Sequence, residues 1–281
     1  MKKIYCKAFA KLNLTLDCLE KRDDGYHNLK SIMHPISLFD TVTVEKNGGP
    51  CIDVECDFID KEKNLAYKAA RLFFDTLDIK DRGISIKIEK HIPLLSGLGG
   101  GSGDAAAVIN LLDRLYDTGL SDGQKIDMAK KLGADVPFGL FCKTAVAEGI
   151  GEKLTFLDNF PQLSFVLIKH GEKGSTGQMY KMLDSAKKES GSFTDRVLEL
   201  LSCGKKEAAI KNFGNDFSVC QPDGQLLKIS EFAKNFGAIT TSLTGSGPTC
   251  FSAFETETDS LNFLNAAKQT FSFVSLAKSV G

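Results

Sequence analysis

The segment Ser96-Gly97-Leu98-Gly99-Gly100-Gly101-Ser102-Gly103 runs directly into the helix-favouring block Asp104-Ala105-Ala106-Ala107. It follows Ile84, Ile86 and Ile88, which alternate with Ser85, Lys87 and Glu89 as a half-buried strand does. A strand, a glycine turn and a helix in that order leave few folds open. Glycine lacks a Cβ, so backbone N–H groups can turn inward and a ligand can approach the main chain closely. Where such a loop empties into a helix N-terminus, free donors and the positive end of the helix dipole meet at one spot. That spot seats phosphate, and a nucleoside triphosphate is the first expectation. A flexible linker would be polar and would not join a strand to an alanine helix.

Two familiar phosphate loops are excluded. No Gly-Lys-Ser/Thr follows the glycines, as a Walker loop requires. Gly101-x-Gly103-x-x-Ala106 fits the loose dinucleotide pattern, but the alternating strand before it does not. A parallel Rossmann strand is covered on both faces and reads as a continuous apolar run. Ser102 is the hydroxyl placed to touch a phosphate or its magnesium. Asp104 reads as the N-cap of a helix running from about Asp104 to Tyr116.

Across the rest of the chain, Leu12, Leu14, Leu16 and Cys18 alternate with polar residues, which predicts a half-buried strand. Lys11 and Asn13 share its other face, either as a solvated edge or as functional groups. Asp23-Asp24-Gly25 is a turn delivering Tyr26-His27. Val42 and Val44, then Ile52, Val54, Cys56 and Phe58, give two more strands. Asn64 can cap a helix carrying Leu65, Ala69, Leu72, Phe73 and Leu77. Another helix, around Ile126 to Leu132, stops at Gly133.

In the second half, Ser164 to Ile168 reads as a buried strand, followed by helices between about Gly177 and Phe236. Ile239–Leu243 and Phe251–Phe254 flank Gly245-Ser246-Gly247-Pro248, and a helix and the strand Phe273–Leu276 close the chain. The expected organisation is two α+β domains, residues 1–157 and 158–281, with a cleft between them. Asp135, between Gly133 and a Pro137 expected at the first position of the next helix, is either an N-cap or a rigidly held carboxylate able to take a proton from an alcohol. Gly245-Ser246-Gly247 is either a hairpin turn or a second backbone clamp.

Composition narrows the partners. With 42% apolar residues, 25% charged residues and a formal net charge of -1, the chain lacks the excess of basic residues that a nucleic-acid or anionic-membrane surface needs. Eight dispersed cysteines form no C-x-x-C pair, which predicts reduced thiols. Lys7 and Lys11 interrupt any signal-peptide core after Lys2 and Lys3, and no apolar run reaches the roughly 18–20 residues of a membrane span. A cytoplasmic protein working as a monomer or weak homodimer is expected.

Taken together, the motifs resemble one family, the GHMP small-molecule kinases. The resemblance is carried by Ala8-Phe9-Ala10-Lys11-Leu12-Asn13-Leu14, Arg22-Asp23-Asp24-Gly25-Tyr26-His27, Asp40 and Gly97-Leu98-Gly99-Gly100-Gly101-Ser102. It continues through Leu132-Gly133-Ala134-Asp135-Val136-Pro137, Gly149-x-Gly151-Glu152, Asn215-Asp216-Phe217 and Thr244-Gly245-Ser246-Gly247-Pro248-Thr249, in family order to about Phe254. It implies the two-domain GHMP kinase fold: a mostly antiparallel N-terminal sheet with helices, a ferredoxin-like C-terminal domain, and an active-site cleft between them.

The resemblance also implies roles. Asp135 is the general base and Lys11 its cationic partner; ATP with Mg2+ is the donor, its metal ligands unassigned. Pro93, Leu94, Leu95, Ser96, Gly97, Leu98, Gly99, Gly100, Gly101, Ser102 and Gly103 cradle the nucleotide. The Asp24-Gly25-Tyr26-His27 step is similar to the family branch whose small-molecule acceptor carries a cytidine diphosphate. There Asn13, Tyr26, His27 and Tyr180 (after Gly174-Ser175-Thr176) are the acceptor contacts. Three positions depart from the family pattern: Gly103 where a second Ser is common, Ser96 where Ala or Gly is, and Ser218 where Glu often stands. Other kinases of the family, a nicotinamide oxidoreductase and a silent binding protein on the same scaffold are the rivals. The oxidoreductase would need an early βαβ unit that is not evident.

Overall fold

A computed structural model describes residues 3–57, 59–171, 176–186, 192–221 and 224–280. Lys2, Phe58, Gly174 and Ser175, used above, lie outside the described residues, as does the side chain of Thr176. In chain order the first elements are β1 (Lys3–Asn13), β2 (Asp17–Lys21), β3 (His27–Lys46), β4 (Ile52–Cys56), α1 (Leu65–Thr76) and β5 (Ile84–Glu89). Next come α2 (Gly100–Tyr116), α3 (Asp122–Leu132), α4 (Val136–Phe141), β6 (Ala145–Glu148), β7 (Lys153–Phe156) and β8 (Ser164–Lys169). The chain ends with α5 (Thr176–Ser185), α6 (Phe193–Ser202), α7 (Lys206–Lys211), α8 (Gln225–Lys234), β9 (Thr240–Leu243), β10 (Thr249–Phe254), α9 (Glu257–Ala267) and β11 (Phe273–Lys278).

Contacts divide the chain into two compact units, residues 1–10, 38–94 and 99–142 in one, and 11–37, 95–98 and 143–281 in the other. β1 and β3 each contribute residues to both. In the first unit, Thr41–Lys46 of β3 pair antiparallel with β5, and β4 pairs parallel with β5. That parallel pair needs a crossover, which α1 supplies. α1 forms because Ala66, Ala69, Ala70, Phe73 and Phe74 recur at helical spacing and are buried, while Asn64 accepts a hydrogen bond from the Ala66 N–H at 2.9 Å. The stripe packs with Ile84, Ile86, Ile88 and the α2 face Ala105–Leu112 into one core. Burying each phenylalanine there contributes on the order of 2–3 kcal/mol.

In the second unit, β8, β9, β10 and β11 form an antiparallel sheet in the order β11-β8-β10-β9. Numbered along the chain, that is 4-1-3-2 with helices between strands one and two and between three and four, the ferredoxin-like arrangement. Ile32 and Met33 of β3 pair with β6, and β6 turns back onto β7. The α+β fold expected from the sequence is present, with four local corrections.

α2 starts at Gly100 with Gly99 at its N-cap (φ 74°), so Asp104 is no cap and lies inside the helix, buried. α3 starts at Asp122, four residues before the expected Ile126, because Ser121 and Gln124 form a capping box. Pro137 occupies the second helical position of α4, not the first. The Leu12–Cys18 region is not half-buried: Lys11, Asn13, Thr15 and Asp17 are as buried as Leu12, Leu14 and Leu16.

Candidate active site

The second unit gathers the first group of predicted residues. Lys11 ends up buried, and its ammonium donates to Asn13 Oδ1. The other end of that amide donates from Nδ2 to Ser31 Oγ at 2.8 Å, and Ser31 Oγ donates to the Thr15 carbonyl. Thr15 Oγ1 in turn meets Thr194 Oγ1 at 2.7 Å and accepts from the Ile32 N–H at 2.9 Å. A buried cation and amide are costly unless satisfied, and this chain of hydrogen bonds satisfies them while fixing where the Lys11 ammonium points. The solvated-edge reading of Lys11 and Asn13 is thereby excluded.

The backbone beside them belongs to the glycine run. Lys11 N–H donates to the Leu98 carbonyl at 2.9 Å, and Asn13 N–H donates to Thr244 Oγ1 at 3.0 Å. Gly97, at φ 81°, lies so close to the Thr244–Gly247 turn that a Cβ would stand 2.7 Å from the Thr244 carbonyl oxygen. A Cβ on Gly245 would stand 3.3 Å from the Gly97 carbonyl oxygen. The hairpin reading of Gly245-Ser246-Gly247 is present: the segment joins β9 to β10, and its backbone packs on Gly97. Asn215 ties the turn down, donating from Nδ2 to the Leu243 and Gly245 carbonyls at 2.9 Å each. Asp216 accepts from the Cys18 N–H at 2.6 Å. Both held groups come from the Asn215-Asp216-Phe217 motif, which here fixes backbone.

An aromatic group lies in the same unit. Asp23-Asp24-Gly25 turns with Arg22 N–H donating to the Tyr26 carbonyl at 2.7 Å, and Tyr26 projects with 62% of its surface exposed. His27 stacks on Tyr180 with centroids 4.8 Å apart and planes 9° from parallel, and Tyr180 meets Phe217 edge-on at 5.0 Å. His27 Nε2 is 2.8 Å from Asp184 Oδ1, and Lys21 reaches Asp184 Oδ2 at 3.2 Å. Slight burial works against the Asp184 charge, but the hydrogen bonds from Lys21 and His27 hold its pKa below the usual carboxylate value. Asp184 was not expected from sequence; only its place four residues after Tyr180, on the same helix face, could have flagged it.

The first unit carries the rest. Gly100, Gly101 and Ser102 form the opening turn of α2, with backbone N–H groups unclaimed by the helix ladder, as at any helix start. Beneath that turn lies a charged group that sequence reading did not assemble. Lys90 Nζ donates to Asp40 Oδ2 and, at 2.7 Å, to Asp104 Oδ2. Asp40 Oδ1 also accepts from the His91 and Ile92 N–H groups at 2.6 and 2.8 Å. A Cβ on Gly100 would stand 3.0 Å from Ile92 Cγ2 and 3.3 Å from Lys90 Nζ, closer than ordinary van der Waals contact.

The group thus grips the chain on both sides of the glycine loop. Burial raises the Asp104 pKa to about 7, against the opposing pull of Lys90 and with a further push from Asp40. Burial works against the Lys90 charge, but the two carboxylates outweigh it and raise its pKa. Asp104 Oδ1 and Asn64 Nδ2 are buried without a hydrogen-bond partner. Asp135 stands at the N-cap position of α4, half-buried, but its side chain makes no capping bond to the helix. That observation removes the simple capping explanation for its presence.

The chain matches known proteins along most of its length. The family model for the GHMP kinases N terminal domain matches residues 64–143, and that for the GHMP kinases C terminal region matches residues 225–272. A 4-diphosphocytidyl-2-C-methyl-D-erythritol kinase of Caldicellulosiruptor saccharolyticus is 37% identical over 267 residues, 93% of this chain and 92% of that protein. One of Clostridium botulinum (strain Eklund 17B / Type B) is 40% identical over 256 residues, 89% of this chain and 90% of that protein. A crystal structure of 4-(cytidine 5'-diphospho)-2C-methyl-D-erythritol kinase superposes with a TM-score of 0.84 at 28% identity, covering 99% of this chain and 100% of that one. Mevalonate kinase of L. major shares the fold, with a TM-score of 0.75 at 17% identity over 99% of this chain and 96% of that one. The chain belongs to the 4-diphosphocytidyl-2-C-methyl-D-erythritol kinases of the GHMP kinase family.

Proposed function

We propose that the chain transfers the γ-phosphoryl group of ATP to the 2-hydroxyl of 4-diphosphocytidyl-2-C-methyl-D-erythritol, giving the 2-phosphate and ADP, in the non-mevalonate route to isoprenoid precursors. The observation that carries the proposal is the 37% identity to a kinase named for that acceptor, over 93% of this chain. In phosphoryl transfer the protein mainly positions reactants and stabilises charge. Asp135 takes the proton of the attacking hydroxyl, and the Lys11 ammonium, aimed by Asn13, keeps that chemistry supplied with positive charge.

The N–H groups opening α2 and the glycine run from Pro93 to Gly103 hold the phosphates. Ser102 would offer its hydroxyl oxygen to the phosphates or to a nucleotide-borne Mg2+, which when bound would supply neutralisation of the phosphate charge. Tyr26, His27 and Tyr180 bind the cytidine end, where aromatic faces and a ring N–H suit a pyrimidine. The His27 ring covers one face of Tyr180. The family-model matches fall one on each side of residue 157, which supports domains spanning 1–157 and 158–281. Eight free thiols support a reducing, cytoplasmic setting.

Incubation with ATP, magnesium and the cytidylated acceptor, followed by mass analysis, should show the acceptor gaining one phosphoryl group. Asp135→Asn should lower kcat by roughly a factor of 100 to 10,000 while the nucleotide still binds. Full turnover in that variant removes Asp135 as the base. Tyr26→Ala should raise KM for the cytidylated acceptor and leave KM for ATP unchanged. An unchanged acceptor KM would remove Tyr26 from the acceptor site.

A further inference from the structure

A cavity of about 370 Å3 lies wholly within the first unit. Residues Cys6 to Phe9 of β1, one face of α2 and the end of α4 bound it. Gly103, Ala107, Leu111 and Arg114 recur along α2 at helical spacing, so they present one stripe to the space. Ala8, Ala107, Leu111 and Leu140 make its lining largely apolar.

The charge of the lining is one-sided. Lys7, Arg114 and Lys125 contribute to it, and no carboxylate does, in a chain whose formal net charge is -1. Lys125 is engaged by Asp113 at 2.6 Å, and Lys7 lies over the Phe39 ring at 4.3 Å. Arg114 is exposed and has no hydrogen bond or ion pair among the described residues. Its last-turn position on α2 suits a cation but occupies none of its five donors beyond the helix field. Gly103 belongs to the same wall, and a Cβ there would stand 3.3 Å from the Phe9 carbonyl oxygen. The departure of Gly103 from the family pattern therefore leaves this wall without a side chain.

We propose that this cavity binds a small organic anion, its apolar body against the α2 stripe and its phosphate or carboxylate head on the Arg114 guanidinium. The forked donors of arginine match two anionic oxygens, and the apolar wall supplies the rest of the affinity. Of the glycine run only Gly103 lines the site, and the proposal does not depend on the chain being a kinase.

Calorimetric titration of the full chain with hexyl phosphate, hexanoate, inorganic phosphate and 1-hexanol tests it. One of the two amphipathic anions should bind at a single site, with inorganic phosphate and hexanol each at least about tenfold weaker. The stronger of hexyl phosphate and hexanoate identifies the head. Arg114→Met, an exposed change, should weaken that ligand at least about tenfold and leave ATP binding unchanged. Cys6 and Cys142 line the cavity, so the bound anion should slow their alkylation by N-ethylmaleimide in the wild type and not in Arg114→Met. Lack of binding by both anions, affinity unchanged in Arg114→Met, or displacement by ATP overturns the proposal. Loss of kinase activity with anion binding intact would sink only the kinase reading.

Discussion

At Gly97 one hydrogen atom does the work that no side chain could. The residue is held at φ 81°, and its missing Cβ allows backbone-to-backbone contact with Thr244 and Gly247. Gly97→Ala must put a methyl 2.7 Å from a carbonyl oxygen in a left-handed conformation, which costs about 1–2 kcal/mol for the backbone alone. The expected result is a lower melting temperature together with a raised KM for ATP. An alanine variant with both values unchanged would show that the close packing of Gly97 on the turn is not needed. The glycine run was legible because composition alone marks it. The partner of Gly97, 147 positions along, was not, since close approach of two backbones leaves no pattern in either segment.

At the scale of elements, the errors of sequence reading share a cause. Periodicity reports which face is apolar and assumes that the other face is wet. In Leu12–Cys18 both faces are buried, and the polar one is paid for by hydrogen bonds to residues as distant as Thr194. β3 was seen only at Val42 and Val44, because Ser31 to Ile36 are all buried and interrupted by Pro35, leaving no alternation to detect. Asp104 looked like a cap because the alanine block starts beside it, yet a left-handed Gly99 starts α2 five residues earlier.

The true role of Asp104 follows from Lys90. The lysine, just past the end of β5, is joined to β3 through Asp40 and to α2 through Asp104, and removing one member of a buried ion group typically costs about 3–5 kcal/mol. Lys90→Met should therefore lower the melting temperature and raise KM for ATP more than KM for the acceptor. The triple change Asp40→Asn, Lys90→Met and Asp104→Asn removes the uncompensated charge. It should recover stability ahead of ATP affinity. Equal loss of both KM values in Lys90→Met would reduce the group to a general structural brace.

For the whole molecule, the family resemblance implied the ferredoxin-like sheet, but not the way the chain end closes on β3. Ser279 pairs with Ile36, Val280 N–H donates to the Pro35 carbonyl at 3.1 Å, and His34 sits between them and the rest of the second unit. Its Nδ1 is 2.7 Å from Thr144 Oγ1 and its Nε2 is 2.8 Å from Ser279 Oγ. Hydroxyls can donate or accept, so a neutral ring is satisfied on both sides. Burial pushes its pKa down to about 3.

The unfolded chain binds a proton at His34 below about pH 6.5 while the folded chain does not until about pH 3, so stability falls across that window as pH drops. The slope from this one group is at most about 1.4 kcal/mol per pH unit. Burial also lowers the pKa of His170, which adds to the loss. Asp104 opposes both: with its folded pKa raised from 3.8 to about 7, the folded state gains a proton first, and stability rises as pH falls between those values. Urea midpoints measured at pH 7.5 and pH 5 separate the signs. His34→Gln should lose less stability on acidification than the wild type, and Asp104→Asn should lose more. If His34→Gln follows the wild-type pH dependence, His34 is not held neutral by its burial.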